Sequence, residues 1–156
     1  MIEIDSRDIQ PVIDNLSRFS DQVTSQDILL SLAQKVKDSI FLRTMRNQDL
    51  RGGGFEPYGS KYAEKKGVST GQVNLYSQKF GKHMMDDMAV RLLSNDASEV
   101  YFRTAEKATL AYMHNTGKIR GGKKREFFGV TNEDLNNLIA EYSSYIKNVI
   151  QERQLA

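Results

Sequence analysis

Apolar residues recur three or four apart over two long stretches of this 156-residue chain, the spacing of amphipathic helices. In the first stretch, Ile28, Leu29, Leu32, Ala33, Val36, Ile40 and Phe41 share a face, with Lys35, Lys37, Asp38 and Arg43 opposite. Thr24 and Asp27 stand at the spacing of a capping box, and Val23 with Ile28 at that of a hydrophobic staple. The pattern predicts a helix from Thr24 to about Met45. In the second stretch, Leu135, Leu138, Ile139, Tyr142, Tyr145, Ile146, Val149 and Ile150 form the stripe. Thr131 with Asp134 repeats the capping box, the aspartate standing in for a longer acid, and Val130 with Leu135 repeats the staple. Glu133 and Asp134 put negative charge at the positive end of the helix dipole. A helix of roughly 20 residues is about 30 Å long. Its apolar face has to be buried, on a sheet of this chain or on another subunit.

Shorter elements fill the rest. Ile2 and Ile4 alternate with polar residues, as in a short strand or arm. Ile9, Val12, Ile13 and Leu16 predict a short helix, capped by Ser6 or Asp8, that ends at Phe19 and Ser20, with Pro11 in its first turn. MAVRLL (88–93) and SEVYFRT (98–104) read as two strands joined by a hairpin turn at 94–97. Val100 and Phe102 then face one side of the sheet, Tyr101 and Arg103 the other. Met84, Met85 and Met88 read as core filler. Ala105 to Asn115 returns to helical spacing and stops at Gly117. Phe127 and Phe128 read as a short strand that pins the last helix to the core. Between Asn47 and Val73 the periodicity fails: Gly52, Gly53 and Gly54 are adjacent, Pro57-Tyr58-Gly59 is a turn, and only SKYAEKK (60–66) suggests a helical turn or two. Residues 47–73 therefore read as a flexible surface loop.

The length favours one domain, residues 1–156. Apolar residues make up 39% and charged ones 27%, the balance of a soluble globular protein with a modest core. No run of eighteen apolar residues exists to span a membrane, and the N-terminus lacks the pattern of a signal peptide. Absence of cysteine removes disulfides and thiolate chemistry, and fits an intracellular origin. A net charge of +2 is too small to indicate nucleic-acid binding by itself. Charge is concentrated locally, in the basic loop 117–125, where Lys118, Arg120, Lys123, Lys124 and Arg125 occur without an acid. Such a loop suits an acidic protein surface or a nucleic acid, and a small nucleic-acid-binding protein using residues 118–125 is one reading of the chain.

Candidate chemistry is sparse. His83 and His114 have no second ligand at a zinc spacing, Asp86 and Asp87 are adjacent and so do not share a face, and no nucleophile elbow occurs. The glycine triplet has neither a preceding apolar strand nor a following Gly-Lys-Ser/Thr, so it does not read as a phosphate loop. No catalytic, metal-binding or cofactor-binding residue is expected.

The order of parts is informative. A long helix leads to a glycine-rich loop with a Pro-Tyr turn and lysines, then Leu75-Tyr76-Ser77 with Phe80-Gly81, then a hairpin. Next come Ala111-Tyr112-Met113-His114-Asn115-Thr116-Gly117, a basic loop, Arg125-Glu126-Phe127-Phe128-Gly129-Val130 and the capped final helix. This order resembles the virion-morphogenesis, or tail-completion, family of Mu-like and P2-like phages, and more distantly the tail-terminator and neck proteins of other long-tailed phages. Ala111, His114 and Gly117 keep the family spacing. Phe55 or Tyr58 stands where a tryptophan is usual, and Lys124 where a proline is usual. The resemblance implies an α+β fold, a small antiparallel sheet packed by long N-terminal and C-terminal helices, with the glycine-rich loop between. It implies a structural ring subunit, a hexamer, that binds copies of itself and the proteins of the tail tube or head–tail connector, with transient DNA contact and no membrane. It places the protein in the virion tail or neck, assembled in the bacterial cytoplasm. Interface candidates are Phe55, Tyr58, Lys61, Lys118, Arg120, Lys123, Lys124 and Arg125.

Overall fold

A computed structural model describes residues 14, 17–21, 25–67, 75, 84–119 and 122–154, the side chains of Lys66, Arg153 and Gln154 excepted. Within them the fold is α+β. Helix α1 spans Gln26–Met45, α2 Ser60–Lys66, α3 Ala105–Thr116 and α4 Asn132–Gln154. Strands β1, Met88–Ser94, and β2, Ala97–Phe102, follow a 3-10 turn at Met85–Asp87. Residues 17–21 are also helical. The expected N-terminal arm, most of the first short helix, the segment 76–83 and residues 68–73 of the glycine-rich loop lie outside the described residues.

β1 and β2 pair antiparallel, Met88 opposite Phe102 and Val90 opposite Val100, with a shift of register between Leu92 and Ser94 ahead of the turn. Alternation along β2 sends Val100 and Phe102 toward the core. On the other face the Arg91 guanidinium lies 4.5 Å from the Tyr101 ring centre and pairs with Glu99. α1 crosses both strands, and α4 docks on α1. The final helix thus reaches the core through the first helix.

Phe127, fully buried, sits in a cluster with Ile40, Phe55, Tyr58, Met85, Met88 and Ala111. Truncating such a residue to alanine costs about 3–5 kcal/mol. Helix α3 is set by a chain of polar contacts. The Asp87 carboxylate accepts from the Thr104 N–H at 2.8 Å and the Thr104 hydroxyl at 3.1 Å, while the Thr104 Oγ1 accepts from the Lys107 N–H. Gly117 ends α3 with φ +74°, and a Cβ there would lie 3.2 Å from the Gly122 carbonyl; both facts favour glycine.

Three expectations change. α1 begins at Gln26 with Ser25 as its N-cap, and the Ser25 side chain does not close that cap; Val23 and Thr24, which carry the expected staple and box, lie outside the described residues. Ser25 Oγ lies instead 3.1 Å from the Tyr145 hydroxyl on α4. Phe127 and Phe128 form no strand, because a side chain takes the place of a pairing strand, as described below. Residues 47–67 are not a loose loop: Gln48 and Gly54 form an antiparallel bridge, Phe55, Tyr58 and Ala63 are buried, and α2 occupies the interval in which one or two turns were expected.

Candidate assembly surface

The glycine turn is organised by Asp49. Its Oδ1 accepts from the backbone N–H of Arg51 at 2.8 Å and of Gly53 at 2.9 Å, while its own N–H donates to the Gly53 carbonyl at 2.8 Å. Adjacent N–H groups in a glycine-rich turn can cradle an anion. Here the chain's own carboxylate fills that position, a physical reason why the triplet is not a phosphate loop. The turn is then tied to the aromatic step, since Leu50 N–H donates to the Glu126 carbonyl at 2.8 Å.

The basic segment folds against the same region. Lys123 Nζ lies 3.1 Å from Glu56 and also donates to the Pro57 carbonyl. Lys124 pairs with Glu126 at 2.7 Å. Lys118 donates to the Tyr112 hydroxyl at 2.8 Å and overlies its ring. Arg125 is buried: its Nε donates to the Glu56 carbonyl at 3.1 Å, its guanidinium stacks 4.7 Å from the Tyr58 ring centre, and its N–H donates to the His114 carbonyl. Burial pushes the Arg125 guanidinium below its ordinary value, and Tyr58, Glu56 and Tyr62 act in the opposite direction. Tyr62 meets Tyr58 edge-on.

This arrangement revises the interface candidates. Phe55, Tyr58 and Arg125 are interior side chains that hold the glycine-rich segment to the basic one. Lys118, Lys123 and Lys124 remain at the surface with partners of their own. Lys61 is exposed on α2, and Arg120 lies outside the described residues. Among the described candidates, Tyr58, Lys123 and Arg125 meet around Glu56, and the described cations do not form an open cationic face.

Two residues that periodicity could not flag do most of the positioning. Asn115 near the end of α3 accepts from the N–H groups of Phe127 and Phe128, each at 3.1 Å, and donates to the Phe128 carbonyl. Its amide therefore mimics a strand neighbour for the aromatic pair. Arg43 on α1 donates to the carbonyls of Phe127 and Gly129 and pairs with Asp134 at 2.9 Å. Asp134 also accepts from Ser39 and closes the capping box: Thr131 N–H donates to Asp134 at 2.8 Å, and Asp134 N–H to Thr131 Oγ1 at 3.0 Å. Burial alone would raise the Asp134 carboxyl; hydrogen bonds from Ser39, Thr131 and Arg43 outweigh it and hold the group below its ordinary value. The sequence signals the Thr131–Asp134 box. It does not signal that a basic residue 91 positions upstream completes it.

Anchored there, α4 turns a large part of its stripe outward. Leu135 and Ile139 are 49% and 56% exposed, and Val130 just before the helix is 52% exposed. Beside them lies an apolar cleft of about 340 Å³ lined chiefly by Leu32, Ala33, Val36, Val100, Phe128, Val130 and Leu138. Among the described residues no group of three or more histidines and carboxylates is placed to hold a metal ion, and no helix is long and apolar enough to cross a membrane. No family model, curated protein or solved structure matches this chain.

Proposed function

We propose that this chain is a structural subunit of phage tail assembly, a tail-completion, tail-terminator or head–tail joining ring protein that acts by protein–protein contact. The observation that carries the proposal is that the segments bearing the resemblance fold as one connected unit. The Ala111–Gly117 helix end holds the Arg125–Gly129 step through Asn115 and the His114 carbonyl. That step holds the capped helix through Arg43 and Asp134. A ring subunit needs rigid elements to keep its contacts at a constant angle, since a heterologous interface closes only if each rotation is the same. The α+β architecture that the resemblance implies supports the same reading, as do the half-exposed apolar residues along α4.

The nucleic-acid reading of residues 118–125 gains no such support. Each described cation of that segment already meets a carboxylate, a carbonyl or an aromatic ring of its own chain, and would have to exchange it for phosphate.

The test is to mix the purified protein with phage tail tubes that lack their terminal proteins and to image the ends by electron microscopy. Rings in solution, or added density confined to tube ends or the neck, is the expected result. A protein that stays monomeric and leaves tube ends unaltered would contradict the proposal.

A further inference from the structure

The hairpin leaves backbone groups of β2 turned away from β1. The Arg103 N–H donates to the Asp87 carbonyl at 3.1 Å, and in an antiparallel pair bonded and non-bonded positions alternate. Ala89 with Tyr101 and Arg91 with Glu99 are therefore the bonded pairs, and the N–H and carbonyl groups of Ser98, Val100 and Phe102 point outward. Among the described residues no main-chain group of another segment meets them. Such an edge is a template for one more strand. Its two faces differ. Ser98 and Val100 line the apolar cleft beside Leu32, Val36 and Val130, and no ionisable side chain lines it. On the opposite face Arg103 is exposed, its guanidinium without a partner among the described residues.

We infer that residues 1–5 of the same chain add to this edge as a third strand. Of the stretches outside the described residues, this one alone alternates apolar with acidic side chains, Ile2 and Ile4 with Glu3 and Asp5. In a strand the isoleucines take one face and the acids the other. Beside β2, with the isoleucines over the cleft, the acids come to the face that carries Arg103. The flipped register would put isoleucines in water and carboxylates into a cleft that offers them no counter-charge. The arm also enters from the right place. α1 starts against β2: Gln26 Nε2 donates to Asn95 Oδ1 at 3.4 Å, and Ser98 Oγ to the Leu29 carbonyl at 2.8 Å. The 20 residues between Asp5 and Gln26 would span about 30 Å even as continuous helix, more than the length of β2, about 20 Å. A strand seated there pairs backbone groups that would otherwise recruit another chain. The inference does not rest on the proposed ring, since the contact lies within one subunit.

The experiment is amide hydrogen exchange on the full chain, read residue by residue by NMR at several protein concentrations. In the wild type the outward amides of Val100 and Phe102 should be protected, as the inward amides of Glu99 and Tyr101 are. In the double variant Ile2→Lys/Ile4→Lys the outward amides should exchange at least about tenfold faster while the inward ones keep their protection. Outward amides that exchange freely in the wild type overturn the inference, and so does protection that survives the double substitution. Protection that grows with protein concentration puts a second copy on the edge in place of the arm and overturns it as well. If the double variant loses the inward protection too, Arg103→Glu decides: this surface change should speed the outward amides alone, and exchange equal to wild type overturns the inference.

Discussion

The starts of α1 and α4 carry nearly the same sequence signal and fold differently. Each has a threonine, an aspartate three residues on, and a staple spacing of apolar residues. At α4 the box closes in both directions, between Thr131 and Asp134. At α1 the helix begins one residue past Ser25, whose own side chain makes no cap bond, while Thr24 lies outside the described residues. The difference comes from what surrounds each start. Asp134 is held by Ser39 and Arg43 from another helix, and Arg43 also binds the carbonyls that lead into the cap. Asp27 is exposed, and the hydroxyl of Ser25 is directed to Tyr145 instead of its own helix. A capping pattern marks where a helix can begin. At α4, tertiary partners hold the side-chain bonds in place.

Removing the tertiary partner should have the largest effect. Arg43→Ala leaves Asp134 buried without its counter-charge and frees two carbonyls, so chemical denaturation should report a loss of about 3 kcal/mol or more. Asn115→Ala strips the Phe128 N–H of its acceptor and removes one of the two acceptors of the Phe127 N–H, and should cost about 2 kcal/mol in the same assay. Thr131→Ala should cost about 1 kcal/mol, the usual worth of an N-cap. Ser25→Ala should cost under about 0.5 kcal/mol, because its contact is a single part-exposed hydroxyl pair. Equal losses for Thr131→Ala and Ser25→Ala would erase the contrast between the two starts.

Acid should act on the start of α4. The folded Asp134 carboxyl sits below its ordinary value. Its contribution is therefore fully present above the ordinary carboxylate range and is lost as pH falls from there through the lowered folded value. Asp134→Asn should flatten that part of the stability-versus-pH curve.

Much of the scaffold was legible from residue pattern. The hairpin, α2, α3 with its stop at Gly117, and the stripe of α4 follow from periodicity and turn residues, which are local properties. The role of the loops was not. Residues 47–59 look like a surface loop because their glycines and polar residues break periodicity, yet Asp49 ties the turn internally and Phe55 and Tyr58 enter the core. Residues 118–125 look like a free cationic patch because their neutralising partners, Glu56, Glu126 and the aromatic rings, lie outside the segment or are uncharged. Asn115 gives no signal at all, since an asparagine late in a helix is ordinary until the chain folds back beside it. Pairing over long sequence separations is what a periodicity reading leaves out, and the candidate surface consists largely of such pairs.

Function as an assembling subunit is tested most directly by native mass spectrometry of the purified chain across a concentration series. Particles at integer multiples of the 17.8 kDa subunit, growing in proportion with concentration, are the expected result. A single species at 17.8 kDa under every condition, with tail tubes present as well as absent, would contradict it.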